Sequence, residues 1–135
     1  MSNMYGNIFG NVIMAYTRED SISDGVLVDV SKMASEAGWK YPVAITSSVN
    51  EIIKNIPEEH SHQDEKGRLW DLLTVAKLKA RYCQMASVFT FSMIMHHEEF
   101  NDGEREVKEY IRLKAQCGGG DNGEPVITIM LPNED

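Results

Sequence analysis

From Ser87 to Met95, side chains alternate with a period of two. Phe89, Phe91, Met93 and Met95 share one face; Val88, Thr90, Ser92 and Ile94 share the other. That period predicts a β-strand with one strongly apolar face. The pattern returns further on, where Val107, Ile111, Leu113 and Ala115 alternate with Lys108, Tyr110, Arg112 and Lys114. Between the two runs, His96 to Glu106 reads as a polar connection with Asn101-Asp102-Gly103 as its turn, since these residues tolerate tight-turn backbones. A glycine-rich turn, Cys117 to Gly123, then leads into the β-rich run Val126–Leu131, closed by Pro132 and an acidic tail. Together the three runs predict an antiparallel meander with the last strand as its closing member.

Elsewhere the period is helical. Leu69, Leu72, Leu73, Ala76 and Ala80 fall on one face of a long helix from Gly67 to about Cys83, available to cover the meander. Val75, Leu78 and Tyr82 form a second strip, which suits either burial within the chain or packing on another copy. Val49, Ile52, Ile53 and Ile56 predict a shorter helix, capped by Thr46, Ser47 or Ser48 and ended by Pro57. Thr17 has the features of an N-cap, with Asp20 at capping-box distance, for a short helix ending before Gly25. Ser31 is expected to cap another, Lys32 to Ala37, ended by Gly38. Val26–Val30 is β-branched and predicts an edge strand, Val43–Ile45 a brief extended segment, and Val12–Tyr16 a further strand. Residues 57–66 are polar throughout and predict a surface loop, open to a lid or partner role but more simply a solvated connection. The whole, residues 1–135, reads as a single α+β domain.

Composition narrows the function classes. A formal net charge of −8 disfavours direct nucleic-acid binding along a phosphate backbone. No run approaches the roughly 20 apolar residues of a membrane span. The N-terminus lacks the basic and apolar regions of a signal peptide, so a cytoplasmic setting with Cys83 and Cys117 reduced is expected.

Candidate chemistry is sparse. His60 and His62 flank one residue, and His96-His97 precede Glu98-Glu99; imidazole and carboxylate are ordinary zinc ligands. Adjacent residues of a strand point to opposite faces, however, which argues against one ion held by both His96 and His97. The Cys117–Glu124 segment lacks the Lys-Ser or Lys-Thr pair and the following helix of a phosphate loop. Its glycines still allow close backbone approach to a small anion. Lys108, Arg112 and Lys114 form a cationic row around Tyr110, suited to a phosphate-bearing ligand or an acidic partner, or simply to a solvated face balanced by Glu106 and Glu109. Trp39, Tyr41 and Trp70 can stack on a ring, or serve as core. No nucleophile is matched to a base at a recognisable spacing.

Three blocks carry a resemblance. They are Ala15–Asp20 through Asp24–Ser31 with Pro42–Thr46, then Asp64–Asp71, then Gly123–Asp135. Together they resemble a family of small uncharacterised proteins encoded on bacterial plasmids, integrative elements and phages. The turn here reads Cys117-Gly-Gly-Gly-Asp121, where that family is expected to carry Cys-Gly-Pro-Gly-Asp, so this version should be looser. The resemblance transfers no catalytic residue. It implies a protein acting inside a bacterial cell for a mobile element, in a setting where small proteins often counter host defences.

The expectation is therefore a non-catalytic cytoplasmic binding protein, a homo-oligomer without cofactor or metal, that takes a host defence protein or a nucleotide-like signalling molecule. Arg68, Trp70, Tyr110, Arg112, Asp121 and Asn122 are its candidate ligand contacts. The alternatives are a small metal-assisted hydrolase using His60, His62 or His96, and an acidic decoy of nucleic acid built on Glu98, Glu99, Asp102 and Glu104.

Overall fold

Thr17 opens the first helix as expected. Its hydroxyl accepts from the Asp20 amide at 2.9 Å, and the Asp20 carboxylate accepts from the Thr17 amide at 3.2 Å. This capping box starts α1 (Arg18–Ser23) in a computed structural model that describes residues 16–82 and 87–135. Four of the five positions in the Val12–Tyr16 strand expectation, and Cys83, lie outside the described residues. The chain continues through β1 (Leu27–Asp29), α2 (Ser31–Glu36), β2 (Val43–Thr46) and α3 (Ser47–Lys54). A short 3-10 turn, Glu58–His60, interrupts the polar loop. Then come α4 (Glu65–Tyr82), β3 (Val88–Asn101), β4 (Glu104–Gly119) and β5 (Pro125–Met130). Among the described residues no helix is long and apolar enough to cross a membrane.

The fold is mixed α+β, and the C-terminal meander β3–β4–β5 is antiparallel throughout. The sheet is larger than the meander. Its order is β1-β2-β5-β4-β3, with β2 parallel to β5 and antiparallel to β1. The last strand therefore sits inside the sheet and does not close it. Burial gives the reason: all of β2 is buried, as are four of the six residues of β5. A strand buried on both faces shows no alternation, so Val43–Thr46 carries little strand signal of its own.

Ile45, Leu72, Leu73, Leu113 and Ile129 are fully buried where α4 crosses the sheet. α4 begins at Glu65, two residues before the expected Gly67, because the Asp64 carboxylate accepts from the Gly67 amide at 2.7 Å. Thr46 caps α3 through the Val49 amide. Ser31 does not cap α2: Val30 is the cap and makes no side-chain bond. The Ser31 hydroxyl instead donates to Asp29 and accepts from the Val43 amide at 3.0 Å, tying α2 to both flanking strands.

The β3–β4 hairpin runs further than the expected polar connection. Asp102 (φ 53°) and Gly103 (φ 83°) make a two-residue turn with both central residues left-handed. Ile94 pairs with Tyr110 and His97 with Lys108, so Met95 and His96 both oppose Glu109. This β-bulge shifts the facing of every residue beyond it by one.

Candidate functional site

α2 ends in a tight cap. The Trp39 amide donates to the Ala34 carbonyl at 2.9 Å, and the Gly38 amide to Ser35 at 3.0 Å. That pair of bonds requires a left-handed residue between helix and exit, and Gly38 supplies it at φ +102°. The exit throws Trp39 against α4, where its indole N–H donates to the Leu73 carbonyl at 3.0 Å. Tyr41 follows, half exposed, and Pro42 accepts the Ile127 amide at 2.9 Å as the chain enters β2.

This turn forms one wall of a cavity of about 460 Å³. The C-terminal half of α4 supplies a second, adjoining wall through Lys77, Ala80 and Arg81. The floor comes from Phe89 on β3, Ala115 to Cys117 on β4, and Ile127 on β5. Trp39, Tyr41 and Phe89 bring aromatic rings to it; Lys40, Lys77 and Arg81 bring three cations. No carboxylate and no imidazole line it among the described residues. Nor does any of these cations form an ion pair among those residues. Gly38 also leaves room for Lys77: a Cβ at position 38 would stand 2.9 Å from the Lys77 ammonium. Planar apolar walls with unneutralised cations suit a ligand that joins a ring to one or more negative charges.

The six residues expected at the ligand do not share a cavity. Arg68 is buried, donating Nε to the Ile53 carbonyl at 3.0 Å and Nη2 to Ile52 at 2.8 Å. It closes the C-terminal end of α3, where a cation is favoured. Trp70 is exposed on α4. Tyr110 and Arg112 share a cavity of about 320 Å³ with His97, Ile52 of α3 and Leu131. Asp121 accepts the Arg18 and Glu19 amides at 2.8 and 3.1 Å, so its carboxylate holds the start of α1. The Asn122 amide donates to Glu124 within the same turn. The cationic row is likewise engaged: Lys108 pairs with Glu106 at 3.3 Å, Arg112 donates to Thr90, and Lys114 to the Glu134 carbonyl.

Of the aromatic set, Trp39 and Tyr41 come together and Trp70 does not join them in the cavity. Lys40, Lys77 and Arg81 complete the cavity and are not among the residues the sequence singles out. The recoverable signal was local: Lys40 sits between Trp39 and Tyr41, and Lys77 and Arg81 stand at i, i+4 beside Ala80.

The histidines meet in part. His60 and His96 stack with ring centroids 3.6 Å apart, and His62 lies 6.1 Å from His60. Burial lowers the pKa of His60, with further lowering from the charges of His96 and His62. His96 Nδ1 is buried and has no partner among the described residues. Strand alternation parts the adjacent pair: His97 turns away, bonded to the Met95 carbonyl at 2.9 Å and Glu99 at 3.1 Å. Among the described residues no group of three His, Cys, Asp or Glu is placed to hold a metal ion. Glu98 pairs with Arg105, which also binds Glu59, so Glu98 and Glu99 carry separate partners on opposite faces of β3.

No curated protein and no solved structure matches the chain. A family model does, over residues 1–135. The chain belongs to the family of unknown function DUF6573.

Proposed function

We propose that this protein is a non-catalytic binding protein that takes a nucleotide-like small molecule in the cavity between Trp39 and α4. One observation carries the reading: among the described residues, three cations and three aromatic rings line one cavity without a carboxylate, in a chain of net charge −8. Acidic residues outnumber basic ones by 21 to 13, so cations gathered without acids are a local departure from the composition. The volume of about 460 Å³ suits a mononucleotide-sized ligand. Tyr41 or Trp39 would stack on the base, and Lys77, Arg81 and Lys40 would take the phosphate. Sequestering such a molecule fits a cytoplasmic protein serving a bacterial mobile element or phage in counter-defence. The metal-assisted hydrolase draws less support, since His60, His62 and His96 gather no third-ligand set among the described residues.

Calorimetric titration with a panel of mononucleotides and cyclic dinucleotides tests the assignment. At least one should bind, and Arg81→Ala should weaken it about 10- to 100-fold, the worth of a charge-assisted hydrogen bond. Binding unchanged in both Lys77→Ala and Arg81→Ala, or none across the panel, contradicts it.

A further inference from the structure

β3 ends the strand order, so one of its edges has no strand partner among the described residues. The Cys117 amide donates to the Ser87 carbonyl at 2.7 Å. By the alternation of an antiparallel ladder, Ser87, Phe89, Phe91 and Met93 then bond to β4. The main-chain groups of Val88, Thr90, Ser92 and Ile94 point the other way, along the open edge. Their side chains are exposed, 46% at Val88 and 55% at Ile94, and Ile94 lies beside the exposed Tyr110. Proteins ordinarily guard such an edge with lysine, proline or another charge. Val88–Met95 contains none of these; the acidic residues begin beyond the bulge, at Glu98 and Glu99.

We propose that this edge pairs with the same edge of a second copy, antiparallel across a two-fold axis centred on Ser92. Two five-stranded sheets would join into one. A two-fold axis makes the edge its own complement, setting residues of one face opposite each other. Centring on Ser92 places Thr90 against Ile94 of the second copy, a β-branched pair. It also leaves Glu98 and Glu99 outside the paired window. Moving the centre toward the hairpin tip would set those carboxylates against apolar residues and then against each other, so charge selects the first half of the strand. Arg112, opposite Ser92 on β4, would lie three strand spacings from its counterpart, about 14 Å, beyond the ~8 Å screening length of physiological salt.

Sedimentation of the full chain over a concentration series, with amide hydrogen exchange, tests this. The expected result is a species of twice 15.2 kDa, with slow exchange at the Thr90, Ser92 and Ile94 amides. Thr90→Lys combined with Ser92→Lys should raise the dissociation constant at least 10-fold and keep the native circular dichroism spectrum. Ile94→Asp gives the same reading if that double variant does not fold. A monomeric wild-type chain overturns the proposal, as does a dimer indifferent to these substitutions. A monomer with protected edge amides points to another segment of the chain over the edge and overturns it too. So does a monomer that pairs only with a different protein.

Discussion

A side chain at position 38 would have to adopt φ +102° and stand 2.9 Å from the Lys77 ammonium. Gly38→Ala should therefore cost about 1 kcal/mol of stability from the left-handed backbone, read by chemical denaturation, and should weaken the ligand by displacing Lys77. Arg68 gives the opposite separation of effects. Its guanidinium satisfies a buried and a part-buried carbonyl at the end of α3, so Arg68→Met should cost on the order of 3 kcal/mol. In protein that remains folded, ligand affinity should be unchanged. The stacked histidines set a pH dependence. Burial, then the charges of His96 and His62, hold His60 below its ordinary 6.5; Arg68 adds to this and Glu59 opposes it. The unfolded chain then takes up the proton more readily. The stability from this group is complete above pH 6.5 and is lost as pH falls through the folded value. Thermal midpoints should fall from pH 7.5 to pH 5, and fall less in His96→Leu; equal slopes in the two proteins would contradict this. Glu59, pulled down to about 2 by Arg105, titrates in a lower window that pH 5 does not reach.

At the scale of elements, a period of two over Ser87–Met95 and the helical spacing of Leu69, Leu72, Leu73 and Ala76 were enough to place β3, α4 and the meander. Both elements bury one face, which is what periodicity reports. Val43–Thr46 buries both faces and runs only four residues, so its parallel partner β5, more than 80 positions away, left no trace in its pattern. The bulge at Met95–His96 was equally silent, because one extra residue in a strand changes no residue type. α1 depends on a contact as distant. Asp121 accepts amides from Arg18 and Glu19, and the Arg18 guanidinium reaches the Thr128 hydroxyl at 2.7 Å. Asp121→Ala should cost about 1 kcal/mol, as the loss of a helix cap does. Hydrogen exchange should quicken in α1 while α4 keeps its protection; uniform change across both helices would contradict that.

Across the whole molecule, two features oppose its average composition. The chain is acidic, yet among the described residues one cavity gathers Lys40, Lys77 and Arg81 without an acid, and the Val88–Met95 half of β3 lies at the sheet edge without a charged residue. The site was hard to find because its halves come from the turn after α2 and the far end of α4, roughly 40 positions apart, and folding alone joins them. Arg68 and Asp121 stand out in the sequence by charge, but their partners, the Ile52 and Ile53 carbonyls and the Arg18 and Glu19 amides, are set by the tertiary structure. The most direct measurement is native mass spectrometry of protein purified gently from a bacterial lysate with no ligand added. The expected result is an added mass of a few hundred daltons per chain, retained by Arg68→Met and lost by a chain carrying both Lys77→Ala and Arg81→Ala. A bare chain that also fails to take up any nucleotide offered to it, or an adduct that survives the double substitution, would contradict it.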